Sequence, residues 1–274
     1  MKLNMMTVAA LVLGTITFNA TANKQLDDII ADQRREAQSV RDEYRHPVQT
    51  LDFFGVKQTD TVIELWPGGG WYTSILAPYL KDNGQLVAAN FKVNGADLGN
   101  KREAYFAKAG QRFIDKVEQH KDWWGPLKII EFAPPEMSKL GADNSADVVL
   151  TFRNLHNWHG NGGTDEVFAA AYAVLKPGGV FGVVEHRGKV GITSDEIAKS
   201  GYMNEDETIA MAKAAGFQLT ASSEINANAK DTKDHPKGVW TLPPSLRLKD
   251  QDKDKYLEIG ESDRMTLKFV KPAL

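Results

Sequence analysis

The sequence predicts an α/β fold, a mostly parallel sheet of seven strands with helices on both faces. Three observations carry that expectation. Short apolar, β-branched runs alternate with helical stretches along the chain, as βαβ units require. The central runs, Ala146–Phe152 and residues 180–185, are apolar at nearly every position, which suits strands covered on both faces. A glycine cluster, Gly68-Gly69-Gly70, directly follows the first run, and the rim of an open α/β sheet is where such a turn meets a ligand.

Residues 26–44 are charged, with Leu26, Ile29, Ile30, Ala37 and Val40 available for one helical face, and Pro47 is expected to end that helix. Thr61–Leu65 reads as the first strand and residues 72–80 as the helix behind the glycine turn. Asn83-Gly84 marks a turn into a second strand at 85–91. A helix over Lys101–Gln119 leads to a third strand at 128–132, stopped by Pro134-Pro135, and Ala146–Phe152 is the fourth. A helix at 165–175, closed by Pro177-Gly178-Gly179, precedes the fifth strand at 180–185. A helix at 204–215, closed by Gly216, precedes the sixth at 217–224. Residues 226–254 are polar and irregular, an insertion before a seventh, alternating strand at Arg264–Val270. The expected organisation is a helical extension at 23–50 and one domain at 51–274.

With 274 residues, 42% apolar and 25% charged, the chain can fill a core. Its formal charge of −3 supplies no basic excess to hold a nucleic-acid backbone, so a small-molecule partner is expected rather than nucleic acid. The absence of cysteine excludes disulfides, thiolate metal sites, thiol nucleophiles and a lipidated cysteine. Lys2, the uncharged run 5–18 and the small residues of Asn19-Ala20-Thr21-Ala22 read as an export signal cleaved after Ala22. That run is shorter than the about 20 apolar residues of a spanning helix. The expected product is a soluble chain from Asn23, one charge more negative, exported to the periplasm with no membrane association after cleavage.

The turn separates two ligand chemistries. A dinucleotide site uses G-x-G-x-x-G to bring pyrophosphate to a helix N-terminus. Here three glycines are adjacent and Trp71 and Tyr72 follow, so that spacing fails. Glu64, an acid at the strand end, suits a cationic ligand better than a pyrophosphate. A tight structural turn is the competing reading.

The string Glu64-Leu65-Trp66-Pro67-Gly68-Gly69-Gly70 resembles motif I of class I methyltransferases, an acid followed by G-x-G-x-G. Aligned on Glu64, the residues Trp66, Gly68 and Gly70 stand at the three glycine positions; Trp66 departs from the pattern and Pro67 stiffens the turn. Residues 147–159 resemble motif IV, and 174–185 resemble the helix-turn-strand that follows it. With Gly260-Glu261-Ser262-Asp263-Arg264-Met265, these segments are similar to a bacterial group of predicted exported methyltransferases. The resemblance implies a Rossmann-like class I methyltransferase fold and S-adenosyl-L-methionine as cofactor. It implies that Glu64, Trp66, Pro67, Gly68, Gly69 and Gly70 hold the cofactor's methionine end. Asn90 takes the place of the acid that grips the ribose, with weaker affinity as the consequence, because asparagine forms no charge-assisted pair. Phe91 flanks the adenine, the third strand's end at Glu131-Phe132-Ala133 contacts it, and Arg153 and Asn154 emerge over the cofactor's methyl group.

Methyl transfer from a sulfonium needs an aligned acceptor and, for many acceptors, a base. His156, Glu185 and His186 are expected at the carboxyl ends of adjacent strands, facing one mouth, and are the candidate catalytic residues; His159 is a weaker one. Each also has a plain reading as a hydrogen-bonding residue at a strand end. A metal held by His156, His159 and Glu185 competes, but no compact H-x-x-x-H or H-E-x-x-H pattern occurs and no metal is expected. Residues 231–244 either fold over the mouth or form a solvated loop anchored by Trp240, and Trp123-Trp124 are either core or pocket wall. Two other functions remain in view. A catalytically silent ligand-binding protein on the same fold gains from Trp66, from Asn90 and from the conflict between export and a cofactor made in the cytosol. A nicotinamide-dependent oxidoreductase is disfavoured by the glycine spacing.

Overall fold

The computed structural model describes residues 24–273; the expected export signal lies outside the described residues. Among those described, no helix is long and apolar enough to cross a membrane. Seven strands form one sheet: β1 Thr61–Leu65, β2 Gln85–Asn90, β3 Lys128–Glu131, β4 Ala146–Phe152, β5 Leu175–His186, β6 Gln218–Ser223 and β7 Arg264–Val270. Their order is β3-β2-β1-β4-β5-β7-β6. Strands β1 to β5 pair in parallel, and β7 runs antiparallel to both β5 and β6. The mostly parallel sheet expected from the apolar runs is the sheet observed.

Strand alternation divides the core between two faces. Val62, Val148 and Val184 pack with Leu51, Phe54, Ile75 and Leu80 on one side. Ile63, Val149, Val183 and Leu267 pack with Phe168 and Phe217 on the other. Each such side chain, fully buried, contributes about 1.5–3 kcal/mol. Both faces of the central strands are therefore anchored, and their carboxyl ends form a fixed rim.

Register decides what meets at that rim. The chain turns back between β1 and β4, where an open sheet forms its crevice. Leu65 lies opposite Thr151 and Phe152 opposite Val184, so Trp66, Arg153 and Glu185 leave adjacent strands at one level. His186 lies opposite Arg264, which brings the segment before β7 to the same rim.

Three expectations are corrected. Residues 26–44 are not one helix: a helix at 24–30 is followed by short turns at Gln33–Arg35, Glu36–Ser39 and Asp42–Arg45. The breaks let Arg35 and Arg45 turn inward, where both are buried. Pro47 opens the helix Pro47–Phe54 instead of ending one, since a proline in the first turn forfeits no helical hydrogen bond. The Pro177-Gly178-Gly179 segment lies within β5, because the amide of Gly178 donates to the Lys271 carbonyl and that of Lys271 to the Gly179 carbonyl, extending the pairing.

Candidate functional site

Beyond Leu65 the chain bends through Trp66, Gly68 and Gly70, all in the left-handed region at φ 45°, 59° and 72°. A Cβ placed on Gly68 or Gly69 meets nothing within 4 Å, so the chain is open on that side, while the Gly69 carbonyl accepts from Lys116 Nζ at 2.7 Å. Gly70 differs. Its Cβ would stand 3.2 Å from Trp124 and 3.4 Å from Phe113, so this glycine is required by packing on that side. The same packing places Trp124 in the core, together with its buried neighbour Trp123.

Trp66 accepts a conformation that costs a residue with a Cβ about 1–2 kcal/mol. Its indole is held by packing and a hydrogen bond. Nε1 donates to the Phe132 carbonyl at 2.7 Å, and the ring lies 4.7 Å from Phe91, 5.0 Å from Phe106 and 5.0 Å from Trp158, centre to centre. Phe91 and Phe132 directly follow β2 and β3. The indole therefore occupies the notch between those strand ends, the place the resemblance gives to the adenine.

Three further expected contacts are spent on the protein itself. Asn90 is fully buried; its Nδ2 donates to the Gly110 carbonyl of the Lys101–Gln119 helix, and its Oδ1 has no partner among the described residues. Asn154 donates to the carbonyls of Leu65 and Trp66 at 3.1 and 3.2 Å, tying the exit of β4 to that of β1. Glu64 is buried and accepts from the Thr73 hydroxyl at 2.6 Å. Burial pushes its carboxyl up to about 7, against the Thr73 bond and the charge of Arg153. It lines neither the main cavity nor its neighbours. The chain thus leaves room for S-adenosylmethionine beside Gly68 and Gly69, while at the nucleoside end Trp66 narrows the notch, next to a hollow of about 430 Å³ that it lines with Phe91 and Phe132.

A cavity of about 940 Å³ stands over the rim. Gly68, Gly69 and Arg153 form part of its floor, Phe106 and Lys116 one wall, and Trp240 and Pro243 the opposite wall. The insertion between β6 and β7 does fold over the mouth. Asp231 fixes it, accepting from the Tyr202 hydroxyl at 2.9 Å, from His235 at 2.9 Å and from the Asp263 amide at 2.8 Å. Pro67 and Phe91 stay at the site, Phe91 on the main cavity and Pro67 on a side hollow shared with Gly68 and Gly69.

The three candidate catalytic residues come together. The helix Leu155–His159, which the sequence pattern did not show, carries His156 to the rim. His156 Nδ1 lies 3.2 Å from Glu185 Oε1, and its Nε2 lies 3.0 Å from the Asn157 amide nitrogen. Glu185 is fully buried; its Oε1 also accepts from the His186 amide at 2.7 Å, while Oε2 has no partner among the described residues. Burial holds His186 well below the ordinary histidine range, helped by the positive charges of Arg153, Arg264 and Arg45, so its ring is neutral at pH 7. His159 is directed away to Asp195 at 2.7 Å. The metal set of His156, His159 and Glu185 is therefore not assembled. The ligand atoms of His156, Glu185 and His186 do lie within 4.8 Å of one another, but the arginines around them oppose a second cation.

Sequence reasoning missed most of the charged wall. Arg41 and Arg45 reach the cavity from the N-terminal segment, Arg112 and Lys116 from the Lys101–Gln119 helix, and Arg247 from the insertion. Glu261 accepts from Arg41 at 2.6 Å, Arg45 at 3.2 Å and Arg264 at 3.0 Å. Burial alone would raise this carboxyl, but the arginines outweigh it and hold it at about 2. No periodicity links Arg41 to Glu261, 220 positions away. Residues 260–265 stand out in the sequence only through their resemblance to the methyltransferase group.

No known protein family matches this sequence, and no curated protein is detectably similar. Solved structures are similar in fold. A SAM-dependent methyltransferase from Aquifex aeolicus is 16% identical, with a TM-score of 0.52 over 74% of this chain and 93% of that one. The [4+2]-cyclase SpnF is 15% identical, with a TM-score of 0.56 over 84% and 82%. A protein from Galdieria sulphuraria described as a sarcosine dimethylglycine methyltransferase is 16% identical, with a TM-score of 0.55 over 90% and 91%. At such identities the likeness speaks for the scaffold alone. With its sheet order and antiparallel β7, this chain has the class I methyltransferase fold.

Proposed function

We propose that this chain is a small-molecule methyltransferase that uses S-adenosyl-L-methionine. One observation carries the reading: Gly68 and Gly69, with open space where a Cβ would stand, share a cavity of about 940 Å³ with His156 and His186. Group transfer needs two reactants side by side, sheltered from water, with a base at the acceptor. When bound, the cofactor supplies an electrophilic methyl group. The chain's own residues do the rest. Glu185 accepts a hydrogen bond from His156 Nδ1 and thereby sets the tautomer in which Nε2 carries the lone pair, which accepts from the Asn157 side chain until an acceptor's proton displaces it. The neutral His186 ring offers a second site for an acceptor's proton, and Trp240 and Pro243 keep water from that wall.

Trp66 weighs the other way. Emptying its place costs about 3–5 kcal/mol, the usual loss for removing a buried Trp or Phe. That is roughly 10²–10⁴ in affinity for a nucleoside seated in the adenine notch. It favours a second reading, a ligand-binding protein without methyl transfer on the same scaffold. The fold permits this, since the similarly folded SpnF is a [4+2]-cyclase.

Calorimetry on residues 23–274 separates the two. The first reading expects weak binding of S-adenosylmethionine and S-adenosylhomocysteine, lost in Gly69→Val, with label transferred from methyl-labelled cofactor to an acceptor in a small-molecule panel. No binding of either nucleoside up to millimolar concentration sinks it and leaves the second. Export belongs to the same proposal and sharpens its difficulty, since the cofactor is made in the cytosol. Protein from the native cell should begin at Asn23, and an intact Met1 in the cytosol overturns export.

A further inference from the structure

We propose that the ligand of the main cavity is a small molecule with at least two negative charges, carried on phosphate or carboxylate groups. The inference deepens the reading above, as it names the substrate class of the same site. Six cationic side chains line the cavity, Arg41, Arg45, Arg112, Lys116, Arg153 and Arg247, although the whole chain is net negative at −3. The one carboxylate in that lining, Glu261, is already shared among Arg41, Arg45 and Arg264. Arg112, Lys116, Arg153 and Arg247 make no ion pair with any described residue.

Buried, unsatisfied donors give the charge a direction. Arg45 is 1% exposed, and its Nη1 has no hydrogen-bond partner; the Nη1 of Arg153 is also buried and unpartnered. A buried charged donor left unpaired costs more than the roughly 1–3 kcal/mol of a neutral one. Burial and neighbouring arginines already hold Arg45 well below its ordinary range. Arg153 itself sits in the left-handed region at φ 62°, directly after β4, so the fold accepts strain to keep this guanidinium at the cavity floor. An oxyanion satisfies forked guanidinium donors with short, charge-assisted bonds. A sulfonium or any other cation gains nothing from this wall. The set fits an anionic acceptor resting against Arg45 and Arg153, with Arg112 and Arg247 at the exposed rim drawing it in.

Calorimetry with inorganic pyrophosphate and with citrate, at about 25 mM and about 200 mM salt, tests this without any methyl donor. One molecule of at least one probe should bind per chain, more weakly at the higher salt. Preference for pyrophosphate identifies a phosphate ester, and preference for citrate a polycarboxylate. Arg153→Gln should weaken binding at least tenfold and Lys116→Gln several-fold, while Lys213→Gln, on a distant exposed helix face, leaves it unchanged; circular dichroism verifies that each variant is folded. The inference falls if neither probe binds at low salt, or if folded Arg153→Gln and Lys116→Gln both bind as well as the wild type. Because no cofactor is present, anion binding and cofactor binding succeed or fail independently.

Discussion

Replacing Trp66 by glycine restores the residue that the G-x-G-x-G pattern places there, and the structure gives the size of the effect. Removing a buried Trp costs about 3–5 kcal/mol, and the Nε1 bond to the Phe132 carbonyl is part of that loss. Relief of the left-handed backbone at φ 45° returns about 1–2 kcal/mol. Trp66→Gly should therefore fold, destabilised by about 1–4 kcal/mol, read as a lower midpoint in urea unfolding at an unchanged slope. The indole would no longer fill the notch between Phe91 and Phe132. Calorimetry should then show S-adenosylhomocysteine binding at least tenfold more tightly than in the wild type, while Trp66→Phe, which keeps a ring in place, gains much less. If folded Trp66→Gly binds the nucleoside no better than the wild type, the indole does not block the site and the notch is not the seat of the adenine.

Adjacent glycines should behave oppositely: Gly70→Ala loses about 1–3 kcal/mol because its φ of 72° and the 3.2 Å approach to Trp124 leave a methyl no place, while Gly69→Ala stays within about 0.5 kcal/mol in the same urea assay. Glu64 titrates near 7 instead of 4.5, so the folded state holds its proton more tightly than the unfolded chain. About 3 kcal/mol of stability is then present below pH 4.5 and lost as pH rises through about 7, and Glu64→Gln should flatten that slope in urea titrations at stepped pH. Glu261 has the opposite sign: held at about 2, it stabilises the fold above pH 4.5, and that stability is lost as pH falls towards 2. Glu261→Gln leaves buried Arg45 and Arg264 without their carboxylate and should cost about 3–5 kcal/mol by the same assay.

The sequence alone determined the scaffold, because local periodicity and apolar runs report which faces are covered. Thr61–Leu65, Lys101–Gln119, Ala146–Phe152 and Arg264–Val270 carry the boundaries that spacing predicted. It also foresaw that His156, Glu185 and His186 lie together, since each follows or ends a strand whose neighbours the fold class dictates. What it could not read was side-chain direction. Asn90 and Asn154 stand where the motif places them, yet their amides face the Gly110, Leu65 and Trp66 carbonyls, and buried polar groups take such partners first. Tertiary structure alone decided the charge of the cavity. Arg45 and Arg153 lie far apart in sequence, on a broken N-terminal segment and at the exit of β4, and only the closed fold brings both guanidinium groups, each with an unpartnered Nη1, to one cavity. Coulomb energy follows distance in space, which spacing along the chain does not encode.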